Sequence, residues 1–355
     1  MKPFRVIDTG IREGRAQMAF DQAMIDLHKV GKIPDTIRFL QFPPTVLVGR
    51  HQDLSAELRL DACKAASVGV GRRITGGGAL YLDEGQFGWE LVFHRDTLGL
   101  SNLGDLAKAI CEAAAYGLSR LGINARYRPR NDIEVDGRKV SGTGGFFDGS
   151  TIFYQGTVLV DMDTEKMVSL LNIPDAKLAK HAALSAAQRI ITLKELCEGK
   201  APPIAEVQQA LLEGFAEKLG IAAKAAPITS VEEDLAKKLY IEEIGTEEFV
   251  HEIDDLGQRN EILKGTFTGK GGAISAHVRL EGPLKTRIRE VVISGDFFVT
   301  PPRIIYDLEA ALRGTLAVDV AFTVKLFFAN SNVGLLSATD DDFISALQNA
   351  IGQPA

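Results

Sequence analysis

The 355-residue sequence contains few cysteines and no cysteine-rich motif. Its three cysteines, Cys63, Cys111 and Cys197, are widely spaced, and none belongs to a C-x-x-C pair. A disulfide framework needs several paired cysteines, and a structural zinc site needs closely spaced ligands. The sequence therefore predicts neither, and each cysteine is interpreted as a small buried or half-buried side chain.

Long apolar runs and an excess of positive charge are also lacking. No uninterrupted apolar stretch reaches the length of a membrane span, and the first residues contain no apolar signal region. The formal net charge is −7 and the pI is near 5.5, which argues against a chain-wide attraction to nucleic acid or to anionic membranes. We therefore expect a cytoplasmic protein that binds neither nucleic acid nor membrane.

The order of apolar patterns along the chain predicts an α+β fold. Helical spacing alternates with strands that are mostly linked by hairpins, which favours α+β over a doubly wound sheet. The aromatic stripe of Phe87, Trp89 and Phe93 is interpreted as core rather than as a cofactor platform. The predicted helices cover 15–30, 102–121 and 204–219, and the predicted strands include 37–42, 87–93, 133–135 and 152–160.

A segment rich in acidic residues, 231–255, is interpreted as the connection between two domains. Beyond it, the apolar patterns predict three strands and then a helix at 302–312. The chain is long enough for two domains. We therefore predict a larger domain at 1–250, which holds the site motifs, and a small α+β domain at 257–355.

The most informative stretch, residues 72–83, combines two arginines with three consecutive glycines. Arg72 and Arg73 lead into Gly76, Gly77 and Gly78. Glycine lets the backbone approach a ligand closely, and guanidinium groups match the oxygens of carboxylates and phosphates. The spacing is not that of a P-loop. The stretch predicts an anion-binding loop, and an ordinary tight loop with solvated arginines is the alternative.

This loop resembles the signature of lipoate-protein ligases, which share a superfamily with biotin ligases and octanoyltransferases. The resemblance implies a biotin/lipoate ligase-like catalytic domain, built from a mixed or antiparallel sheet with helices, and a small α+β accessory domain after it. Four elements in the family's order are far more specific than one glycine loop. Besides the loop, the elements are 44–52, 131–142 and 156–160.

The resemblance implies an ATP-dependent ligase that uses Mg²⁺. The carboxylate of lipoate, or of octanoate, attacks the α-phosphorus of ATP, and the resulting acyl-AMP then acylates a lysine of a carrier protein. Because both steps move negative charge around a phosphate and a carbonyl, positioned donors and cations should supply the catalysis. The implied partner is a lipoyl carrier: an E2 lipoyl domain, a glycine-cleavage H protein or an H-like carrier. We expect the enzyme itself to be a monomer.

The resemblance also implies roles for individual residues. Lys139 is the implied catalytic residue, since a compact charge with three donors can follow oxygen as the substrate becomes an adenylate; a solvated strand lysine is the alternative. Asp132 is the implied Mg²⁺ ligand, with a turn or cap residue as the alternative. The implied substrate- and adenylate-binding residues are Arg72, Arg73, Thr75, Gly76, Gly77, Gly78, Ala79, Gln86, Ser141, Gly142, Gln155, Gly156 and Thr157.

Three positions depart from the family pattern. Leu82 stands where the family has a histidine, Gln86 replaces an asparagine and Gln155 replaces a second histidine. The two glutamines can still form hydrogen bonds, but Leu82 cannot. These changes leave open which acyl chain and which carrier are preferred.

Three other functions remain open from the sequence. An octanoyltransferase would need a cysteine thioester, and no cysteine lies between Cys111 and Cys197, where the later site elements are. A biotin ligase has a different loop and arginine pattern. A protein that binds lipoate or its adenylate without catalysis would fit the loss of the histidine at Leu82, but not the presence of Lys139.

Overall fold

The computed structural model describes residues 1–100, 102–129, 131–172, 189–256, 261–269, 271–336 and 338–352. The strands are β1 Lys2–Ile11, β2 Thr36–Gln41, β3 Thr45–Val48, β4 Gly69–Arg72, β5 Leu80–Leu82, β6 Gln86–His94, β7 Arg126–Arg128, β8 Asp132–Val135, β9 Arg138–Asp148, β10 Thr151–Leu159, β11 Ile221–Ala225, β12 Leu263–Gly269, β13 Gly272–Glu281, β14 Arg287–Gly295, β15 Val299–Thr300 and β16 Gly334–Leu335. The α-helices are α1 Gly14–Lys29, α2 Leu54–Glu57, α3 Leu60–Ala65, α4 Leu103–Ser119, α5 Thr164–Leu170, α6 Leu193–Leu196, α7 Ile204–Leu219, α8 Ser230–Leu239, α9 Glu247–Val250, α10 Ile304–Leu312, α11 Val320–Asn330 and α12 Asp340–Ile351.

A mixed sheet of eight strands forms the centre of the larger part of the molecule. Its order is β11-β1-β2-β6-β10-β9-β8-β7. The pairs β11/β1 and β1/β2 are parallel, and every later pair is antiparallel. A separate sheet of three strands, β4-β3-β5, carries the chain into and out of the glycine loop. The predicted α+β class is confirmed.

Helices cover both faces of the large sheet. On one face, α4 and α7 pack on a core that contains Trp89, whose ring lies 5.5 Å from that of Phe215. The aromatic stripe of β6 is therefore core, as predicted. On the other face, α1 and α8 pack over a second core. The two glycines Gly117 and Gly214 let α4 and α7 touch backbone to backbone, because a Cβ on either would overlap a carbonyl oxygen of the facing helix.

The acidic segment after residue 230 is not a linker, in contrast to the prediction. Helix α8 packs against α1, and its buried Glu232 forms an ion pair with Arg5 on β1. The segment continues through a π-helical turn, Tyr240–Ile244, into α9. Glu233 and Glu247 form further ion pairs with Arg12 and Arg15, so the segment packs against the start of the chain.

A third hydrophobic core draws all of its members from residues 267–351. It lies between the sheet β12-β13-β14 and helices α10, α11 and α12. This separate core supports the proposal that residues 257–355 form an accessory domain. Across the described ranges, no helix is both long and apolar enough to cross a membrane.

The accessory part is held on the larger part by a few specific contacts. Phe147 on β9 donates its backbone N–H to the hydroxyl of Thr300 at 2.7 Å, and that hydroxyl donates to the Phe147 carbonyl at 2.9 Å. The imidazole of His51 stacks on Phe297 with 5.2 Å between ring centroids. These contacts place the turn between β14 and β15 directly over the glycine loop.

Candidate functional site

A cavity of about 280 Å³ lies on the sheet face that α1 covers. Its floor is formed by β6, β9 and β10, and its rim by the glycine loop. Apolar side chains, among them Met18, Leu40 and Leu82, form one part of the wall, and Lys139 and Asp132 stand in another part. A cavity with one apolar wall and one polar wall suits a small organic substrate that has an apolar and a charged end.

The structure brings most of the residues implied by the sequence to this cavity. The lining residues among them are Arg73, Gly76, Gly77, Gly78, Asp132, Lys139, Gly142, Gln155, Gly156 and Thr157. Five others, Arg72, Thr75, Ala79, Gln86 and Ser141, do not line it.

Arg72 has a structural role instead of the substrate-binding role that the sequence implied. Its guanidinium is buried and donates to backbone carbonyls at both ends of the turn after β3 and in the α9 region, including those of Gln52 at 2.7 Å and Ile253 at 2.8 Å. Burial lowers the pKa of Arg72 to about 10. With its donors engaged in this way, Arg72 ties residues 249–253 to the loop and has no donor directed at the cavity.

Two of the other four residues outside the cavity wall, Thr75 and Gln86, form local hydrogen bonds. The Thr75 hydroxyl accepts a hydrogen bond from Gln155 Nε2 at 2.7 Å, so it orients a lining side chain. Gln86 donates to the Tyr81 carbonyl at 3.1 Å and is buried. The Ser141 side chain is fully buried. Their implied contact with substrate stays a prediction. Ala79 packs beside the core under β5.

Arg73 is a buried cation in the cavity wall. Its guanidinium donates to the carbonyls of Leu47 at 2.9 Å, Gly76 at 3.2 Å and Gly78 at 2.8 Å, which fixes the course of the loop. Burial alone lowers its pKa to about 10. Among the described residues, no carboxylate forms an ion pair with Arg73. A buried cation with only carbonyl partners favours an anionic ligand at the loop.

Lys139 reaches the cavity by lying across a glycine. A Cβ on Gly142 would stand 2.5 Å from Lys139 Nζ and 2.6 Å from its Cε, so only glycine leaves room for this side chain. The ammonium forms an ion pair with Asp132 Oδ1 at 2.8 Å. Burial would raise the pKa of Asp132, but Lys139 and Arg128 outweigh it and hold that pKa below its usual value. The pair therefore places a positive charge over β9 with a defined partner.

The implied Mg²⁺ role of Asp132 does not fit this arrangement. One carboxylate oxygen faces Lys139, and the other accepts from Arg128 at 2.5 Å. No group of three His, Cys, Asp or Glu side chains suited to a metal is gathered in the part of the chain that the structure describes. Both oxygens are already paired with cations, which leaves neither of them to bind a metal.

The accessory part supplies a portion of the cavity wall that sequence reasoning missed. Gly271, Gly272, Asp296 and Phe298 line the cavity. A Cβ on Gly77 would stand 2.6 Å from Phe298 Cζ, so a larger residue there would have to push this ring aside. Gly77 also has φ +95°, which favours glycine in its own right. No local motif marks these residues, because they reach the site only when the two parts dock.

None of the three cysteines lines the cavity, and all three lie in the described part of the chain. Cys111 is buried behind the sheet, where its thiol lies 3.3 Å from the hydroxyls of Thr143 and Tyr154. Burial raises its pKa to about 11. Cys63 lies in the core under β3, and Cys197 ends the short helix α6. A neutral, buried thiol is a poor nucleophile.

The fold and this site are those of the enzyme family that includes lipoate-protein ligases and octanoyltransferases. The chain matches the family model "Lipoyl protein ligase A/B catalytic domain" over residues 13–216, and it belongs to that family.

Two relatives of the chain have names that denote different activities. The chain is 28% identical to lipoate-protein ligase A subunit 1 of Thermoplasma acidophilum, over 66% of this chain and 91% of that protein. It is 27% identical to the octanoyltransferase LipM of Kyrpidia tusciae, over 67% of this chain and 95% of that protein. Both activities thus occur among relatives of similar identity.

Three solved structures resemble the chain, two of them over 71% of its length and the third over 93%. A lipoate-protein ligase A bound with ATP is 25% identical with a TM-score of 0.62, and covers 71% of this chain and 98% of its own. The bi-partite ligase of Thermoplasma acidophilum, from a study that included its E2 lipoyl domain, is 26% identical with a TM-score of 0.63, covering 71% of this chain and 96% of its own. LipL1 of P. falciparum covers 93% of this chain and 95% of its own with a TM-score of 0.70 at 16% identity, so it shows that the fold is shared over nearly the whole length.

Proposed function

We propose that the protein is an ATP-dependent lipoate-protein ligase that forms an acyl-AMP and transfers the acyl group to a lysine of a lipoyl carrier. The observation that carries the proposal is the placement of Lys139 Nζ over Gly142, in the wall of a cavity that also holds the buried Arg73. An adenylate needs such cations at its phosphate and carbonyl oxygens, and it needs no nucleophile of the enzyme's own.

The apolar part of the cavity suits the acyl chain, and the glycine loop suits the adenylate. Leu82, in place of a histidine, extends the apolar wall beside Leu40 and Phe42. Arg73 and the glycine loop lie at the rim of the same cavity. The carboxylate would therefore meet ATP near Lys139, and the accessory domain would close over both. Relatives that bind ATP and lipoic acid support these two ligands.

In the first step, a carboxylate oxygen of lipoate bonds to the α-phosphorus while the bond to pyrophosphate breaks. In the second step, the amine of the carrier lysine attacks the acyl carbonyl, and AMP leaves with the bonding electrons. Lys139 would bind oxygens of the acyl phosphate in both steps. The acceptor is proposed to be a lipoyl domain or a similar carrier, since a related ligase was studied with its E2 lipoyl domain.

The proposal is tested by pyrophosphate release when the protein is mixed with ATP, Mg²⁺ and lipoate without a carrier. A ligase should release pyrophosphate and hold lipoyl-AMP, which mass spectrometry detects. A protein that only binds lipoate should release none, and neither should an octanoyltransferase that passes its acyl group through a cysteine thioester instead of an adenylate.

The octanoyltransferase is the second candidate, because the LipM relative is almost as similar as the ligase relative. Replacing Cys63, Cys111 and Cys197 one at a time by alanine should leave acyl transfer within about twofold of the wild type, because no thiol lines the cavity. The measurement is transfer to a carrier domain, together with mass spectrometry for an acyl group on the enzyme. An acyl group trapped on one cysteine, with transfer lost in its variant, would establish the thioester route instead.

A further inference from the structure

Arg128 reaches the cavity through the carboxylate of Asp132. It lies on β7, an edge strand of the large sheet, and its own side chain does not line the cavity. Arg128 Nη2 lies 2.5 Å from Asp132 Oδ2, while Asp132 Oδ1 lies 2.8 Å from Lys139 Nζ. The ligase chemistry described above gives Arg128 no role, although it is one contact away from the implied catalytic residue.

The three side chains form a row across three neighbouring strands. Strand pairing places Arg128 opposite Asp132, and Asp132 opposite Gly142. The Lys139 side chain lies across Gly142, where a Cβ would stand 2.5 Å from its Nζ. The register of β7, β8 and β9 therefore brings the two cations to opposite sides of one carboxylate.

The two oxygens of Asp132 are divided between the two cations. An ammonium group has three donors, and a single carboxylate oxygen takes up one of them. If both oxygens turned toward Lys139, they would occupy more of its donors and oppose more of its charge. Because Arg128 holds Oδ2, donors and charge of Lys139 remain for the oxygens of an acyl phosphate.

A second carboxylate fixes the guanidinium of Arg128. Glu134 Oε2 lies 3.3 Å from Arg128 Nη1, whereas Asp132 is held by Nη2. The guanidinium is planar and its donors point in fixed directions, so two partners on two nitrogens define its orientation. Glu134 does not line the cavity. The orientation of Asp132 thus rests on a cation that is itself held in place.

The same strand carries a second arginine that lacks this contact. Tyr127 packs on the core beneath α4, so Arg126 and Arg128 both project from the opposite face of β7. Arg126 donates to the side chain of Asn124. The Arg128 side chain is 40% exposed, and ion pairs at such positions contribute little to stability. Arg126 is therefore a matched comparison for Arg128 in charge, strand and face.

We propose that Arg128 is a positioning residue for adenylate formation. It holds the carboxylate of Asp132 so that one oxygen faces Lys139, and it thereby keeps the Lys139 ammonium available to the acyl phosphate. The inference rests on the proposed function, because it assigns to Lys139 the oxygens of the adenylate. Arg128 itself touches no reacting atom.

Single-turnover formation of lipoyl-AMP, measured without a carrier, compares Arg128→Met with Arg126→Met. Arg128→Met should lower the rate constant about fivefold, as expected for the loss of a partly exposed ion pair. The KM for lipoate should not change, since the apolar wall that would hold the acyl chain is untouched. Arg126→Met should stay within about twofold of the wild type in both quantities. Thermal unfolding should be the same for all three proteins.

A double variant tests whether Arg128 acts through Asp132. In an Asp132→Asn background the carboxylate is already gone, so adding Arg128→Met should change the rate by less than about twofold. Three results would overturn the role of Arg128: a rate for Arg128→Met within twofold of the wild type, an equal loss in Arg126→Met, or a loss that persists in the Asp132→Asn background.

A binding measurement separates this role from the proposed function. A sulfamate analogue of lipoyl-AMP, which cannot transfer its acyl group, should bind Arg128→Met about fivefold more weakly than the wild type in calorimetry. If the wild type binds the analogue but releases no pyrophosphate from ATP and lipoate, the proposed function fails, whereas the binding comparison still decides the role of Arg128. Equal binding by the two proteins, or no binding by the wild type, would contradict that role.

Discussion

Replacing Lys139 by alanine should lower the rate of adenylate formation by a factor of about a hundred to a thousand while leaving the fold intact. A positioned donor at a developing oxyanion is worth about 3 kcal/mol, and Lys139 lies in the wall of the cavity where the acyl phosphate would form. The side chain is partly exposed and Asp132 keeps Arg128 as a second partner, so little stability should be lost. Single-turnover formation of lipoyl-AMP measures the effect, and thermal unfolding checks the fold.

Two further variants test whether the rate depends on the position of the Lys139 ammonium or only on the positive charge of β9. Arg138→Ala removes the adjacent cation of β9, which pairs with Glu195 and does not line the cavity, and it should leave the rate within about twofold. Gly142→Ala retains the lysine but places a methyl group 2.5 Å from its Nζ, so it should displace the ammonium and lower the rate as well. If Lys139→Ala stayed within a few fold of the wild type, the central role of Lys139 would be wrong.

Local signals in the sequence are sufficient to predict the parts of the site that lie on neighbouring strands. Asp136 and Gly137 have φ of 50° and 79°, as the Asp-Gly hairpin predicts, and this turn pairs Val135 with Arg138. A register shift beyond Glu134 then places Asp132 opposite Gly142, over which the Lys139 side chain lies. The glycine loop is likewise visible in the sequence, because close contacts at Gly76 and Gly77 favour the same residue type at both positions. Periodicity also placed the aromatic stripe of β6 in the core.

The remaining features depend on contacts between distant segments, which no local pattern records. Adjacent arginines look alike in sequence, yet Arg72 binds carbonyls near residue 250 while Arg73 lines the cavity. Acidic residues after 230 resemble a solvated linker until their arginine partners on β1 and α1 are known. Glu90 reads as an outward-facing strand residue, and only the crossing of α1 over the sheet buries it with Asp21 and Arg38.

Ending the chain at Leu256 should separate the two half-reactions. We expect the shortened protein to transfer the acyl group of preformed lipoyl-AMP to a carrier, while it forms that adenylate from ATP more than about tenfold more slowly. Arg73, Lys139 and the glycine loop all remain. The cavity would lose the wall contributed by Asp296 and Phe298, and it would open to water where ATP must react.

The position of the cut follows from the contacts of the last residues before it. Ile253 accepts from Arg72 at 2.8 Å and from the Leu54 N–H at 3.0 Å, and the Leu256 N–H donates to Asp53. An earlier end would leave the buried guanidinium of Arg72 without these carbonyls, whereas an end at Leu256 keeps them all. The shortened chain should therefore unfold cooperatively, which calorimetry measures.

Phe298→Ala in the complete chain is the matched control, because it opens the cavity beside Gly77 and Gly144 without removing a domain. It should slow adenylation by a smaller factor than truncation and leave transfer unchanged. Both half-reactions are to be measured on all three proteins with the same carrier. If truncation spared adenylation and destroyed transfer, the accessory domain would act on the carrier rather than on ATP. If the shortened chain did not fold although Arg72 keeps its carbonyls, the core of residues 1–250 would depend on the accessory domain, and the proposed division into two domains would have to be given up.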